Sequence, residues 1–372
     1  MDVTFLIGNG FDRNLGLKTA YSDFVGMYKI METTDAVLQQ FRRHINKHED
    51  LWSSAEEELG IYTEEFGAGD GADFYKCHKD FCEKLAEYLK NESQKLNYSY
   101  ISQDIEKAFS KINSLPEPFP TQERETLNAV IDGYRSGDTR FNFLIFNYTD
   151  TLDSCVEQIK ENTDVLGVHK SSNVIHRHII GDVLHVHGTL DAQMVLGVND
   201  ASQISNEEVF NCEFGDIYKN TLIKQQANIG YQENTDAKAS RVLANSHIIY
   251  IYGMSIGDTD AIWWERICKW LAGNGNRHLI VCRHSMPPRG LLEVDYKIEE
   301  RKAKQGITKF SKLSDAEKRQ IENRIHITGN NMFDALKNAA TKSALASMYA
   351  KETTGPFYKP INGDKQIVTA KL

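Results

Sequence analysis

The sequence predicts an α/β protein: a largely parallel sheet covered on both faces by helices, with a large helical insertion near the N-terminus. Three observations carry this expectation. Short apolar, β-rich runs recur at 3–7, 141–146, 183–187, 247–252, 278–282 and 325–327. Helical patterning separates most of them, the alternation that builds parallel strands joined by crossover helices. Between the first run and the second, the stretch 21–136 reads as helix after helix.

Taken in order, Val3-Thr4-Phe5-Leu6-Ile7 is a strand that stops at the turn residues Gly8-Asn9-Gly10. The insertion then fills 21–136. Its clearest member runs from Phe74 to Leu96, where Phe74, Cys77, Phe81, Leu85, Tyr88 and Leu89 recur at helical spacing. The expected organisation is therefore a core of 1–20 and 137–350, the insertion 21–136, and a C-terminal arm or tail at 351–372, where Gly355-Pro356 interrupts the pattern. No internal repeat or low-complexity segment is present.

With 372 residues, 41 % hydrophobic and 26 % charged, the composition is that of an ordinary globular protein. Forty-three basic against fifty-two acidic side chains leave a net charge of −9, which argues against a surface built to neutralise nucleic-acid phosphates. No run approaches the roughly 20 apolar residues of a membrane span, and no basic leader with a cleavage site precedes Val3. A cytoplasmic protein without membrane attachment is the expectation. The six cysteines (77, 82, 155, 212, 268, 282) contain no C-x-x-C pair, which fits buried thiols in a reducing compartment.

In open α/β sheets ligands bind outside the carboxyl ends of the strands, and four such ends carry unusual residues. They are Gly8-Asn9-Gly10-Phe11-Asp12, Asn147-Tyr148-Thr149-Asp150, His185-Val186-His187-Gly188 and Gly253-Met254-Ser255-Ile256-Gly257-Asp258. Together they predict one nucleotide pocket, with Gly8-Asn9-Gly10 as a wall. Glycines there let the backbone approach a pyrophosphate, although a tight turn alone explains them too. Arg13 stands where the dinucleotide fingerprint needs its third glycine, so a hydride-transfer fold is disfavoured.

His185 and His187 lie two apart and are expected on one face; His187 is the candidate base, against the commoner reading of a core histidine. Asn147 can orient a ribose hydroxyl or a water, or form an Asx turn. Ser255 and Asp258 either touch ligand or cap the helix expected over 260–271. Trp52 and Glu56, four apart, either reach the pocket from one helical face or simply pack and solvate.

Read in order, several of these segments resemble the AbiH family of bacteriophage abortive-infection proteins. The resemblance rests on Phe5 to Asp12, Gly16 to Phe24, Trp52 with Glu56, Phe146 to Thr149, His185 to Gly188, Leu196 to Asp200 and Ile251 to Asp258. More distantly, the Gly-x-Gly loop, the asparagine after a strand and the His-Gly pair are similar to sirtuin-like domains. That similarity implies a Rossmann-like, sirtuin-like core with NAD as substrate. On it Gly8, Asn9, Gly10, Phe11 and Asp12 would hold the cofactor, and Asn147 and His187 would flank its nicotinamide ribose; Tyr148, Gly253, Ser255 and Asp258 are expected at the same pocket from their strand-end positions alone. The paired C-x-x-C zinc motifs of deacetylating sirtuins are absent, so protein deacetylation is disfavoured and no metal is expected.

Cleavage of the nicotinamide–ribose bond suits these residue types. Nicotinamide leaves as a neutral molecule, and the transition state resembles the oxocarbenium ion of glycoside hydrolysis. Asn147 would orient ribose or water, His187 would accept a proton, and backbone amides of residues 8 to 12 would hold the diphosphate.

Three other readings compete. Gly253-Met254-Ser255-Ile256-Gly257 satisfies the G-x-S-x-G nucleophile elbow of serine hydrolases, with Asp295, Asp315 and His326 as the candidate partners that must follow it. His169, His176, His178, His185 and His187 fall in one region and include two H-x-H pairs, a pattern able to hold zinc or iron. A non-catalytic nucleotide sensor or assembly module is the third. A homo-oligomer contact, or a contact with a defence-system partner, is expected on the insertion.

Overall fold

The structure is a computed structural model that describes residues 1–163, 165–230, 235–290 and 292–354. Residues 355–372 of the expected C-terminal arm lie outside the described residues. Seven strands form one sheet: β1 (Asp2–Ile7), β2 (Thr139–Ile145), β3 (Gly167–Ser171), β4 (Val174–His185), β5 (Ile248–Tyr252), β6 (His278–Cys282) and β7 (Ile325–Thr328), in the order β3-β4-β2-β1-β5-β6-β7. All neighbours are parallel except the β3–β4 pair. From the central β1 the chain winds outward through β2 and β4, then returns to the other side of β1 for β5, β6 and β7.

The helices before β3 are α1 (Gly10–Asn14), α2 (Tyr21–Tyr28), α3 (Ala36–Lys47), α4 (Ala55–Ile61), α5 (Gly71–Ser93), α6 (Ser102–Ser110), α7 (Thr121–Gly133) and α8 (Thr151–Asn162). Those after β4 are α9 (Gly215–Leu222), α10 (Lys224–Gly230), α11 (Thr235–Asn245), α12 (Ala261–Ala272), α13 (Val294–Thr308), α14 (Asp315–Glu322) and α15 (Ala339–Thr354). None is long and apolar enough to cross a membrane, among the described residues.

β1 reads as a continuous apolar run because both of its faces are covered. Phe5 and Ile7 enter one cluster with Phe141, Phe143 and Tyr250 under α6 and α8, while Leu6 faces Leu144, Ile249, Ile251 and Trp264 under α12. The stretch read as a single insertion packs in two ways. Phe24, Tyr28, Phe41, Trp52 and Phe81 build an aromatic cluster with Leu196, Val198 and Leu222 from the segment after β4. Ile105, Phe109 and Leu127, by contrast, cover the sheet.

The last described segment also enters the core. Phe333 and Leu336 are fully buried there, and the amides of Asn338 and Ala340 donate to the carbonyls of Asn14 and Leu15, each at 2.8 Å. β3 and the first half of β4 are an unexpected hairpin. Its turn is Ser172-Asn173, both in the left-handed region (φ 48° and 65°), which is the backbone a two-residue hairpin needs.

Candidate functional site

The turn after β1 lies against the turn after β5. The Gly8 amide donates to the Tyr252 carbonyl and the Gly10 amide to the Gly253 carbonyl, each at 2.9 Å, and the Phe11 amide donates to the Gly8 carbonyl at 3.0 Å. These three donors are thus already committed, which removes them from the amide set expected to hold a diphosphate. What requires glycine is the contact itself: a Cβ on Gly8 would lie 2.6 Å from the Gly253 oxygen and 2.8 Å from the Met254 Cα. Gly253 itself sits at φ +69°.

Asn9 exchanges hydrogen bonds with Thr19, its Nδ2 donating to the Thr19 carbonyl at 2.8 Å and its Oδ1 accepting from the hydroxyl at 2.5 Å. Phe11 does not face the rim. It is fully buried, edge-on to Phe333 at 5.2 Å, because an aromatic ring beneath a tight turn fills the core under α1.

Asp12 is also buried, and it ties the end of β1 to the end of β2. Its carboxylate accepts from the hydroxyls of Thr149, at 2.6 Å, and of Thr151. Burial pushes its pKa up to about 6 against the opposing bonds from Thr149, Thr151 and Asn147. Asn147 is buried on the same strand end, and its Oδ1 has no hydrogen-bond partner among the described residues. Tyr148 donates its hydroxyl to the Val195 carbonyl at 3.0 Å.

The two histidines after Leu184 do not share a face. His185 bonds the Asn147 carbonyl at 3.0 Å through Nδ1 and Asp153 of α8 at 2.9 Å through Nε2. Burial lowers its proton affinity, but Asp153 more than offsets this and the pKa is raised. His187 turns instead toward α12. Its Nε2 lies 3.1 Å from Asp260 Oδ1, its ring packs edge-on against Phe146 at 5.4 Å, and its buried Nδ1 has no partner among the described residues. β4 ends at His185, so the two-residue period that would align the pair does not extend to 187.

Asp260 continues into a chain of charges. Lys224 Nζ lies 3.0 Å from Asp260 Oδ1, 3.1 Å from the Thr259 carbonyl and 2.8 Å from Glu56 Oε2, and Tyr21 donates to Glu56 Oε1 at 3.0 Å. The Lys224 side chain is only 5 % exposed, so its partners must satisfy it in place of water. Burial disfavours the Lys224 charge, yet Asp260 and Glu56 raise its pKa; burial likewise opposes the Asp260 charge, yet Lys224 and His187 hold that carboxyl well below its usual range.

Sequence reasoning named His187 and Glu56 but missed Tyr21, Lys224 and Asp260. Asp260 reads as the first residue of a helix, and no motif marks Lys224. Trp52 and Glu56 part company: Trp52 is fully buried among Phe41, Tyr62 and Phe81, while Glu56 alone reaches the site.

Ser255 and Asp258 are exposed. Asp258 pairs with Lys309 at 3.3 Å, and neither residue caps α12, whose N-cap is Asp260. No histidine bonds Ser255 among the described residues. His326, the imidazole a serine hydrolase would need, is buried between His278 at 2.9 Å and Glu123 at 3.0 Å. His169, His176 and His178 line the β3–β4 hairpin, where His169 bonds His178 at 2.7 Å and the Arg135 carbonyl at 2.9 Å.

Fold and site together define a mixed α/β protein with a seven-stranded, mostly parallel sheet and a buried polar constellation at its carboxyl ends. Residues 4–281 match the family described as Bacteriophage abortive infection AbiH, and the chain belongs to that family. No curated protein and no solved structure matches it.

Proposed function

We propose that this chain is an antiphage abortive-infection protein whose strand-end site takes NAD and cleaves the bond between nicotinamide and ribose. The carrying observation is that Asn147 Oδ1 and His187 Nδ1, two positions beyond the paired residues Ile145 and His185 on adjacent strands, are both buried without hydrogen-bond partners among the described residues. Unpaired buried acceptors are costly, and they are accounted for where a ligand supplies the donors; adjacent ribose hydroxyls are such donors.

The six parallel strands, in the order β4-β2-β1-β5-β6-β7, support a Rossmann-like core, since that is the order of doubly wound dinucleotide folds. The winding reverses between β1 and β5, where the Gly8–Gly10 turn meets Gly253. In this reading Asn147 orients the ribose or the incoming water, and His187 takes the proton. The test is to incubate purified chain with NAD and follow free nicotinamide. Release should fall by roughly a hundredfold or more in folded His187→Ala and Asn147→Ala proteins; unchanged rates in both would sink the assignment.

A second reading, a nucleotide-binding sensor that passes its signal to a defence partner or a second copy, is favoured by the closure of both acceptor atoms from solvent. Bound nucleotide without nicotinamide release, with or without extract from infected cells, would select it.

A further inference from the structure

The chain Glu56–Lys224–Asp260–His187 draws its members from four separate elements. Glu56 comes from α4, Lys224 opens α10, Asp260 precedes α12 and His187 follows β4. Surface ion pairs contribute little, but this chain is buried at Lys224 and His187 and largely shielded at Glu56 and Asp260, with side-chain exposures of 5, 5, 14 and 18 %. Two of its contacts converge on one oxygen: Asp260 Oδ1 receives both Lys224 Nζ and His187 Nε2.

An ionised carboxylate can only accept, so the proton in the His187 contact belongs to Nε2. In a neutral ring that leaves Nδ1 as the bare lone pair, and Nδ1 is the nitrogen without a partner among the described residues. The carboxylate that orients the ring is in turn fixed by a lysine that bridges to a second carboxylate; the Thr259 carbonyl accepts a third bond from that lysine, and Tyr21 holds the outer carboxylate of Glu56.

We propose that Asp260 and Lys224 are positioning residues which lock His187 in the Nε2–H tautomer and so assign Nδ1 as the proton-accepting atom of the site, Glu56 serving as the counter-charge that keeps Lys224 in place. This rests on the reading of His187 as the base. It adds which nitrogen acts and which groups make that choice. The carboxylate neither touches the substrate nor takes the proton away; it holds the ring so that one lone pair faces the donor.

The test is a long-range proton–nitrogen NMR spectrum of the full chain labelled with 15N-histidine, the His187 ring assigned by its disappearance in His187→Gln. The expected result is a protonated Nε2 and a bare Nδ1. A proton on Nδ1 in the unmutated chain overturns the proposal with no further variant needed. In Asp260→Ala and Lys224→Met the ring should lose its fixed tautomer, and Lys224→Arg should restore it; an unchanged ring signal in either folded disruptive variant also overturns the proposal.

Kinetics separate this outcome from failure of the proposed activity. If the native chain releases nicotinamide, Lys224→Met should lower kcat by about 10- to 100-fold with little change in KM. If it releases none, the NAD reading fails while the tautomer measurement still stands or falls by itself.

Discussion

Lys224 Nζ lies 3.0 Å from the same Asp260 oxygen that receives the His187 ring nitrogen. One oxygen thus joins a fixed positive charge to an imidazole at the strand ends. The other side of the ammonium is closed by Glu56. A lysine this deeply enclosed neutralises two largely shielded carboxylates, and its removal leaves both without their cation.

Lys224→Met is therefore expected to destabilise the fold by about 3–5 kcal/mol, the cost of leaving buried charge uncompensated. Urea midpoints at neutral pH measure it. The double variant Lys224→Met/Glu56→Gln should recover part of the loss, since one stranded charge is then removed; no recovery would mean that the lysine acts chiefly through packing.

Asp12 predicts a pH dependence of defined sign. Its folded pKa is raised from 3.8 to about 6, so the folded chain holds a proton that the unfolded chain has already released. Its contribution to stability is fully present below about pH 4, falls as pH rises toward about 6, and is level above that. Relative to Asp12→Asn, the wild-type chain should lose about 2–3 kcal/mol across this window. Parallel stability curves for the two proteins would contradict the assignment.

Gly8→Ala should fail through contact with the backbone. The new methyl would stand 2.6 Å from the Gly253 oxygen and 2.8 Å from the Met254 Cα, neither of which can swing aside. A loss of about 1–3 kcal/mol is expected, together with a shift of Gly253 visible in amide spectra. A substitution tolerated without either change would show that the two turns are not held together.

Phe11→Ala separates core from cofactor contact. A fully buried ring against Phe333 predicts a loss of about 3–5 kcal/mol in stability. A cofactor contact would instead weaken ligand binding at unchanged thermal midpoint, and calorimetry alongside melting curves distinguishes the two.

Much of the sheet was legible because its strands are buried on both faces and therefore read as uninterrupted apolar runs: Val3 to Ile7, His247 to Tyr252 and His278 to Cys282 are each found within a residue or two of expectation. Local patterning could not find β3, whose alternate residues stay exposed or half-exposed at the sheet edge, or the Ser172-Asn173 turn that creates it. Within the site, Asn147 and His187 announced themselves by standing just past apolar strands. Lys224 and Asp260 did not, because their importance lies in meeting each other across 36 residues and in meeting Glu56 from α4. Phe11 misled in the opposite direction: its neighbours in sequence mark a turn, but only the arrival of Phe333 makes it core.

That arrival has a consequence for the extent of the folding unit. The family match stops at residue 281, inside β6, yet Phe333 and Leu336 seal the underside of the first turn and Asn338 and Ala340 are stitched to Asn14 and Leu15. A chain cut at the family boundary would lose its final strand and leave the floor beneath Phe11 open to water. The shared segment carries the rim residues, while its stability depends on a foundation laid by the stretch that comes after it.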